Sequence, residues 1–124
     1  MFGWDDAHDD YKKTQNSDNK AELSHEVLAG GASFLAMHEF ENYQRKEGKE
    51  VSHAFAKEAL AAMAGVEVDR IAEMNGADYV DREKAKHEAK KRSEQLYDQH
   101  YGDEENYNPN KKHPHRKLQQ EFGN

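Results

Sequence analysis

Apolar positions along the chain gather in two stretches, residues 27–37 and 55–71, and thin out on either side into segments dominated by charge. The first stretch, Val-Leu-Ala-Gly-Gly-Ala-Ser-Phe-Leu-Ala-Met, is the longest uncharged run. At about 100° per residue its large side chains do not share one stripe. Val27 and Phe34 point one way, Leu28 and Leu35 a second and Met37 a third, with small residues between them. A helix apolar all round is buried all round. Two turns later Phe40 and Tyr43 alternate with Glu39, Glu41, Asn42 and Arg45, so the same helix becomes amphipathic as it leaves the core. Its start is predicted either at Asn19, where Glu22 would complete a capping box, or at Ser24, where Leu23 and Leu28 would form a hydrophobic staple. Its end is predicted at Gly48, where Lys46-Glu47-Gly48-Lys49 offers a glycine C-cap with a basic residue in the last turn.

A second helix restarts at once, with Ser52 as cap and Phe55, Leu60, Met63, Val66, Val68 and Ile71 as its apolar side, and Asn75-Gly76 closes it. A link this short makes an antiparallel hairpin. If the turn centres near Gly48 and Lys49, residues whose numbers sum to about 97 lie opposite one another, and Ala32 faces Gly65. The small residues 29–33 would then meet the small residues 61–65, which explains glycines inside a helix by close backbone approach. A third helix begins at Asp78 or Asp81 and runs to about Tyr101, with a narrow apolar line of Val80 or Ala85, then Ala89, Leu96 and Tyr97. So little apolar area predicts a peripheral helix.

The expected fold is all-α: an antiparallel helical hairpin with a third peripheral helix and flexible termini. Residues 1–18 form an acidic arm or short helix whose aromatics, Phe2 and Trp4, either cover an apolar patch of the bundle or plug into a partner. Residues 19–101 form the helical domain, and residues 102–124 a flexible charged tail. The expected helix–helix contacts are Leu28, Ala32, Phe34, Leu35, Phe55, Leu60, Met63 and Gly65.

Composition narrows the function. Hydrophobic and charged residues each make up 35% of the 124 residues, the formal net charge is -7, and the mean hydropathy is -1.28. Positive charge is interleaved with Asp and Glu, which argues against nucleic acid as a partner. The chain has no cysteine, which fits a reducing compartment. Asp5, Asp6, Asp9 and Asp10 stand where a signal peptide would be basic and then apolar, and the run at 27–37 is too short to span a bilayer. An intracellular protein without an integral membrane segment is expected, cytoplasmic and, from the basic stretch Lys111 to Lys117, possible also in the nucleus.

Eight histidines raise the question of metal. No two within a predicted helix stand three or four apart, the spacing that places two ligands on one face. The hairpin register brings His25 near Asp69 and Glu73, and His113 and His115 flank Pro114; these are the weak metal candidates, and no cofactor is assigned. Ser24-His25 and Ser52-His53 read as N-caps followed by histidine, because sequence neighbours at a helix start point away from each other. No catalytic residues emerge and an enzyme is not expected. An all-round apolar helix needs more cover than one partner helix and one polar helix supply, which predicts a homodimer or a protein partner.

The run SHEVLAGGASFLAMHEFENYQRKEGKEVSHAFAKEALAAMAGVEVDRI, followed by DREKAKHEAKK and LYDQHYG and preceded by MFGW, closely resembles the CipC family of small, largely fungal proteins. The resemblance covers about residues 1–107. It implies an intracellular protein made under antibiotic, oxidative or other stress, or during growth on a host, with no agreed molecular activity and no catalytic residues to carry over. A fainter similarity joins residues 29–39 to the plant abscisic acid, stress and ripening proteins, which bind zinc and DNA, but their dense histidine clusters are absent. The expected function is therefore a stress- or antibiotic-responsive protein acting by self-association or partner binding. Zinc or copper binding, or binding of a membrane surface or small molecule, is the alternative.

Overall fold

The computed structural model describes residues 2–15, 23–76 and 81–123. Among the described residues five helices follow one another: α1 (Trp4–Gln15), α2 (His25–Glu47), α3 (His53–Met74), α4 (Arg82–Tyr101) and α5 (Arg116–Phe122). The all-α expectation holds, and so do the local stop and start signals. The Ser24, Ser52 and Asp81 side chains accept hydrogen bonds from the backbone N–H groups of Val27, Phe55 and Lys84. Gly48 ends α2 at φ 70°, a left-handed conformation that glycine adopts without strain. The alternative starts at Asn19 and Asp78, the contact expected of Val80 and the arm's boundary at residue 18 lie outside the described residues.

α2 is the hub, packed by α1, α3 and α4. Leu28, Ala29, Ala32, Phe34, Ala36, Met37 and Phe40 are fully buried around its circumference, as the all-round apolar run requires. Much of that cover comes from α1, whose Trp4, Ala7 and Tyr11 are buried on it. The surface that suggested a homodimer is thus used within the chain.

α1 also accounts for the glycines. A Cβ placed on Gly30 would lie 2.8 Å from Cγ of Asp10, and one on Gly31 would lie 2.7 Å from Cγ2 of Thr14. The close approach is therefore to α1, not to α3 as the hairpin register suggested. A Cβ placed on Gly65 would lie 3.7 Å from Cε of Lys90 in α4, an ordinary contact distance. The link between α2 and α3 centres on residue 50, so facing positions are shifted from the expected Ala32–Gly65 pairing.

α4 is not peripheral. Ala85, Ala89, Ser93, Leu96, Tyr97 and Tyr101 are all buried, and the helix packs on both α2 and α3. Its small residues allow close approach and its two tyrosines supply the area. Its charges pair along the rim, Asp98 with Lys57 at 2.7 Å and Lys86 with Asp69 at 3.0 Å.

Residues 102–123, expected as a flexible tail, fold back over the bundle. Val51 and Tyr107 exchange backbone hydrogen bonds of 2.9 Å in an isolated antiparallel bridge, Tyr107 and Leu118 are buried, and Phe122 packs on the core. Among the described residues, no helix is long and apolar enough to cross a membrane.

Candidate functional site

The metal candidates are drawn into separate contacts. His25 Nε2 lies 3.4 Å from Glu26, Asp69 pairs with Lys86 and Arg82, and Glu73 pairs with Arg82 at 3.6 Å. The His113 carbonyl accepts from His100 Nε2, while the His115 ring stacks on Trp4 at 4.1 Å between centroids. Among the described residues no group of three or more His, Asp or Glu is placed to hold a metal ion. The expected grouping of His25 with Asp69 and Glu73 does not form, because the basic residues of α4 reach the carboxylates first.

A buried polar cluster missed by sequence reasoning ties the C-terminal segment down. Glu41, 3% exposed, accepts from the Tyr101 and Tyr107 hydroxyls, the latter at 2.7 Å, and from Arg45 Nε at 3.2 Å. The remaining guanidinium donors of Arg45 reach the carbonyls of Pro109 at 2.9 Å and Lys112 at 2.6 Å and the Tyr101 hydroxyl. Burial raises the Glu41 carboxyl above its ordinary value, with both tyrosines and Arg45 pulling the other way. Burial and the neighbouring carboxylate likewise raise Tyr101 and Tyr107. His53 adds a second clasp: its Nε2–H donates to the Glu104 carbonyl and Nδ1 accepts from the Tyr97 hydroxyl, both at 2.7 Å. These hydrogen bonds fasten the C-terminal segment to α2, α3 and α4.

α5 is docked by rings. Phe122 stacks on His38 at 3.6 Å, His8 stacks on Phe34 at 5.0 Å and reaches Glu121 at 2.9 Å, and His115 both caps α5 and stacks on Trp4. Burial lowers His38 and His100, and burial together with His100 and Arg116 lowers His115 to about 4, against Asp5, which favours its charged form. A histidine lowered in the fold contributes stability above its unfolded value near 6.5, and loses it as pH falls from there toward about 4. Burial pushes Asp10 up to about 6, which has the opposite sign: acid strengthens the seat of α1 on Gly30. Amide exchange across residues 113–122 is therefore expected to speed up between pH 7 and 5 relative to α1, and His115→Phe, which stacks but can neither ionise nor cap α5, should raise exchange of that segment at every pH while removing most of its pH dependence. Parallel pH profiles for the two segments would contradict this.

The candidate site is a groove on the outer face of α2 and α3, lined by Glu39 and Tyr43 of α2 and by Ala62, Met63, Val66, Glu67 and Arg70 of α3, with a volume of about 340 Å³. A smaller depression of Phe55, Glu58, Ala59 and Ala62 continues it along α3. Phe55, Ala59, Ala62 and Val66 follow one another at intervals of four, three and four, the spacing of a seam that packs against another helix. Phe55 is 53% exposed, Tyr43 and Val66 57% each. Phe55 was expected in the core. It lies on the opposite side of α3 from Leu60, Ala64, Val68 and Ile71, which do fill the core. Leu28, Ala32, Phe34 and Leu60 are buried as expected, while Leu35 and Met63 are partly buried against the core. The signal that could have found the groove is that α3 carries two apolar stripes and a hairpin covers only one.

One group in the groove is out of balance. Glu67 is 3% exposed; its Oε1 meets Arg70 at 3.2 Å, but its buried Oε2 has no hydrogen-bond partner among the described residues. Burial raises its carboxyl above the ordinary value, with Arg70 opposing and Glu39 adding to the rise.

The family model described as virulence factor CipC-like matches residues 7–100. The chain belongs to the CipC-like family. The matched segment runs from α1 almost to the end of α4 and contains every residue of the groove, whereas Tyr101, Tyr107 and α5 follow it. No curated protein and no solved structure gives a significant match.

Proposed function

We propose that this CipC-like protein is a non-enzymatic, stress- or antibiotic-responsive component of the cytoplasm that acts by binding a protein partner through the outer face of α2 and α3. The observation that carries this reading is the row of Tyr43, Phe55 and Val66 left exposed on one face of a chain that is otherwise densely charged. Apolar residues gathered in one patch on a surface rimmed by charge mark an interaction site. The internal polar clusters support the non-enzymatic part, since their donors and acceptors are consumed in joining α2, α4 and the C-terminal segment.

The test is photo-crosslinking in living cells under stress, from benzoylphenylalanine introduced at position 62, with the crosslinked peptides identified by mass spectrometry. Defined crosslinks to another protein, lost on adding Val66→Glu, are the expected result. Val66→Glu itself should change unfolding free energy by no more than about 0.5 kcal/mol, because the side chain is solvent-facing. Crosslinks to this chain alone would replace the partner with a second copy, and none at all would remove the reading.

A further inference from the structure

The outer groove has a length, a floor and a charge, and each constrains what can lie in it. Phe55 to Arg70 spans about four helical turns, roughly 22 Å. That matches the contact length of one partner helix laid along α3. Ala59 and Ala62 at the centre keep the floor low, so a helix backbone can come close, while Phe55, Tyr43 and Val66 stand as apolar walls. The charge is unequal: Glu39, Glu58 and Glu67 line the two depressions, against Arg70 alone, and Arg70 is already held by Oε1 of Glu67. What is left over is the second oxygen of a buried carboxylate with no donor among the described residues. A buried acceptor without a partner is costly, and a donor arriving from outside relieves that cost.

A second copy of the chain fits these features poorly. Antiparallel apposition of two α3 helices about Ala62 and Met63 would set Glu58 of each copy opposite Glu67 of the other, bringing like charges together. An anionic lipid surface meets the same objection from Glu39, Glu58 and Glu67.

Building on the docking reading above, we propose that the α2–α3 groove seats a cationic amphipathic helix of a partner protein, whose apolar stripe covers Ala59, Ala62 and Val66 and whose lysine or arginine pairs with the Glu67 carboxylate as its side chain turns Oε2 out into the groove. The binding mode is helix-in-groove, with the apolar stripe giving affinity and the cation fixing register.

The probe is a fluorescently labelled amphipathic peptide of leucine and lysine, about sixteen residues long to match the groove, titrated with the full chain by anisotropy, beside an isomer in which glutamate replaces every lysine. The lysine peptide should bind the full chain and the glutamate isomer should not. Glu67→Gln should weaken binding by about tenfold or more, Val66→Glu should abolish it, and Asp103→Asn, which removes a charge at an exposed position away from the groove, should leave it nearly unchanged. Equal weakening by Glu67→Gln and Asp103→Asn would reduce the interaction to attraction by net charge and overturn the proposal, as would no binding of the lysine peptide. If crosslinks from position 62 to another protein persist while the peptide experiment fails, docking stands and the cationic helix alone falls; if both fail, docking falls too. Circular dichroism of Glu67→Gln, expected to match the parent, keeps a folding defect from passing as a binding one.

Discussion

Glu41→Ala is expected to lower the unfolding free energy by about 3–5 kcal/mol, the cost of deleting one member of a buried, hydrogen-bonded charge cluster. Three donors converge on this carboxylate, from Tyr101, Tyr107 and Arg45, and alanine leaves all three facing a void. The damage would spread unevenly, because Arg45 also holds the Pro109 and Lys112 carbonyls and is itself positioned by Glu41. Exchange of the amides in residues 104–118 should therefore accelerate before that of α2 and α3. Glu41→Gln keeps an acceptor and the shape, so it should cost clearly less. Urea unfolding of both variants measures the difference; equal and small losses would mean that the cluster is solvated in solution and fastens nothing.

The reason this cluster escaped a reading of the sequence is physical. Glu41 sits in the stretch where α2 turns amphipathic, with Glu39 and Asn42 beside it, and a carboxylate in such surroundings is ordinarily solvated. What buries it are tyrosines sixty and sixty-six positions away, a relation no local pattern carries. The same long-range partnership turned α4 from a peripheral helix into a core one: its alanines contribute little apolar area, but Tyr97 and Tyr101 bury fully once His53 and Glu41 satisfy their hydroxyls.

Local chemistry was readable. Ser24, Gly48, Ser52 and Asp81 mark helix ends by interactions within three or four residues, and the lack of a polar face in residues 27–37 did signal burial on every side. Of the two readings open for the N-terminal aromatics, cover for the bundle or a plug for a partner, the burial of Trp4 at 5% exposure fits the first. The partner of a glycine did not, since Gly30 and Gly31 announce that some backbone comes close without saying which. The docking face was hidden by its composition: Phe55 and Val66 are as apolar as Leu60 and Val68, and only the direction of each around α3 separates the core from the groove.

Phe34→Ala is expected to cost about 3–5 kcal/mol, the range for emptying the space of a fully buried phenylalanine. Its ring stands among Trp4 at 6.0 Å, His8 at 5.0 Å, Tyr11 at 5.4 Å and Phe122 at 6.0 Å, centroid to centroid. Three of those rings belong to α1 and one to α5, so a single side chain of α2 supports both outer helices. Without it, α1 keeps the Gly30–Gly31 contact and the Trp4 Nε1–H bond to the Leu96 carbonyl at 3.0 Å, and α5 keeps the His38–Phe122 stack. The loss should therefore split the unfolding transition: Trp4 fluorescence, reporting α1, should change at lower urea than the far-ultraviolet circular dichroism carried mainly by α2, α3 and α4. Phe34→Leu, which retains most of the volume, should cost less and keep the two signals together. Coincident transitions in Phe34→Ala would show that α1 and α5 unfold only with the α2–α4 bundle; the rings around Phe34 would then be one layer of a single cooperative core.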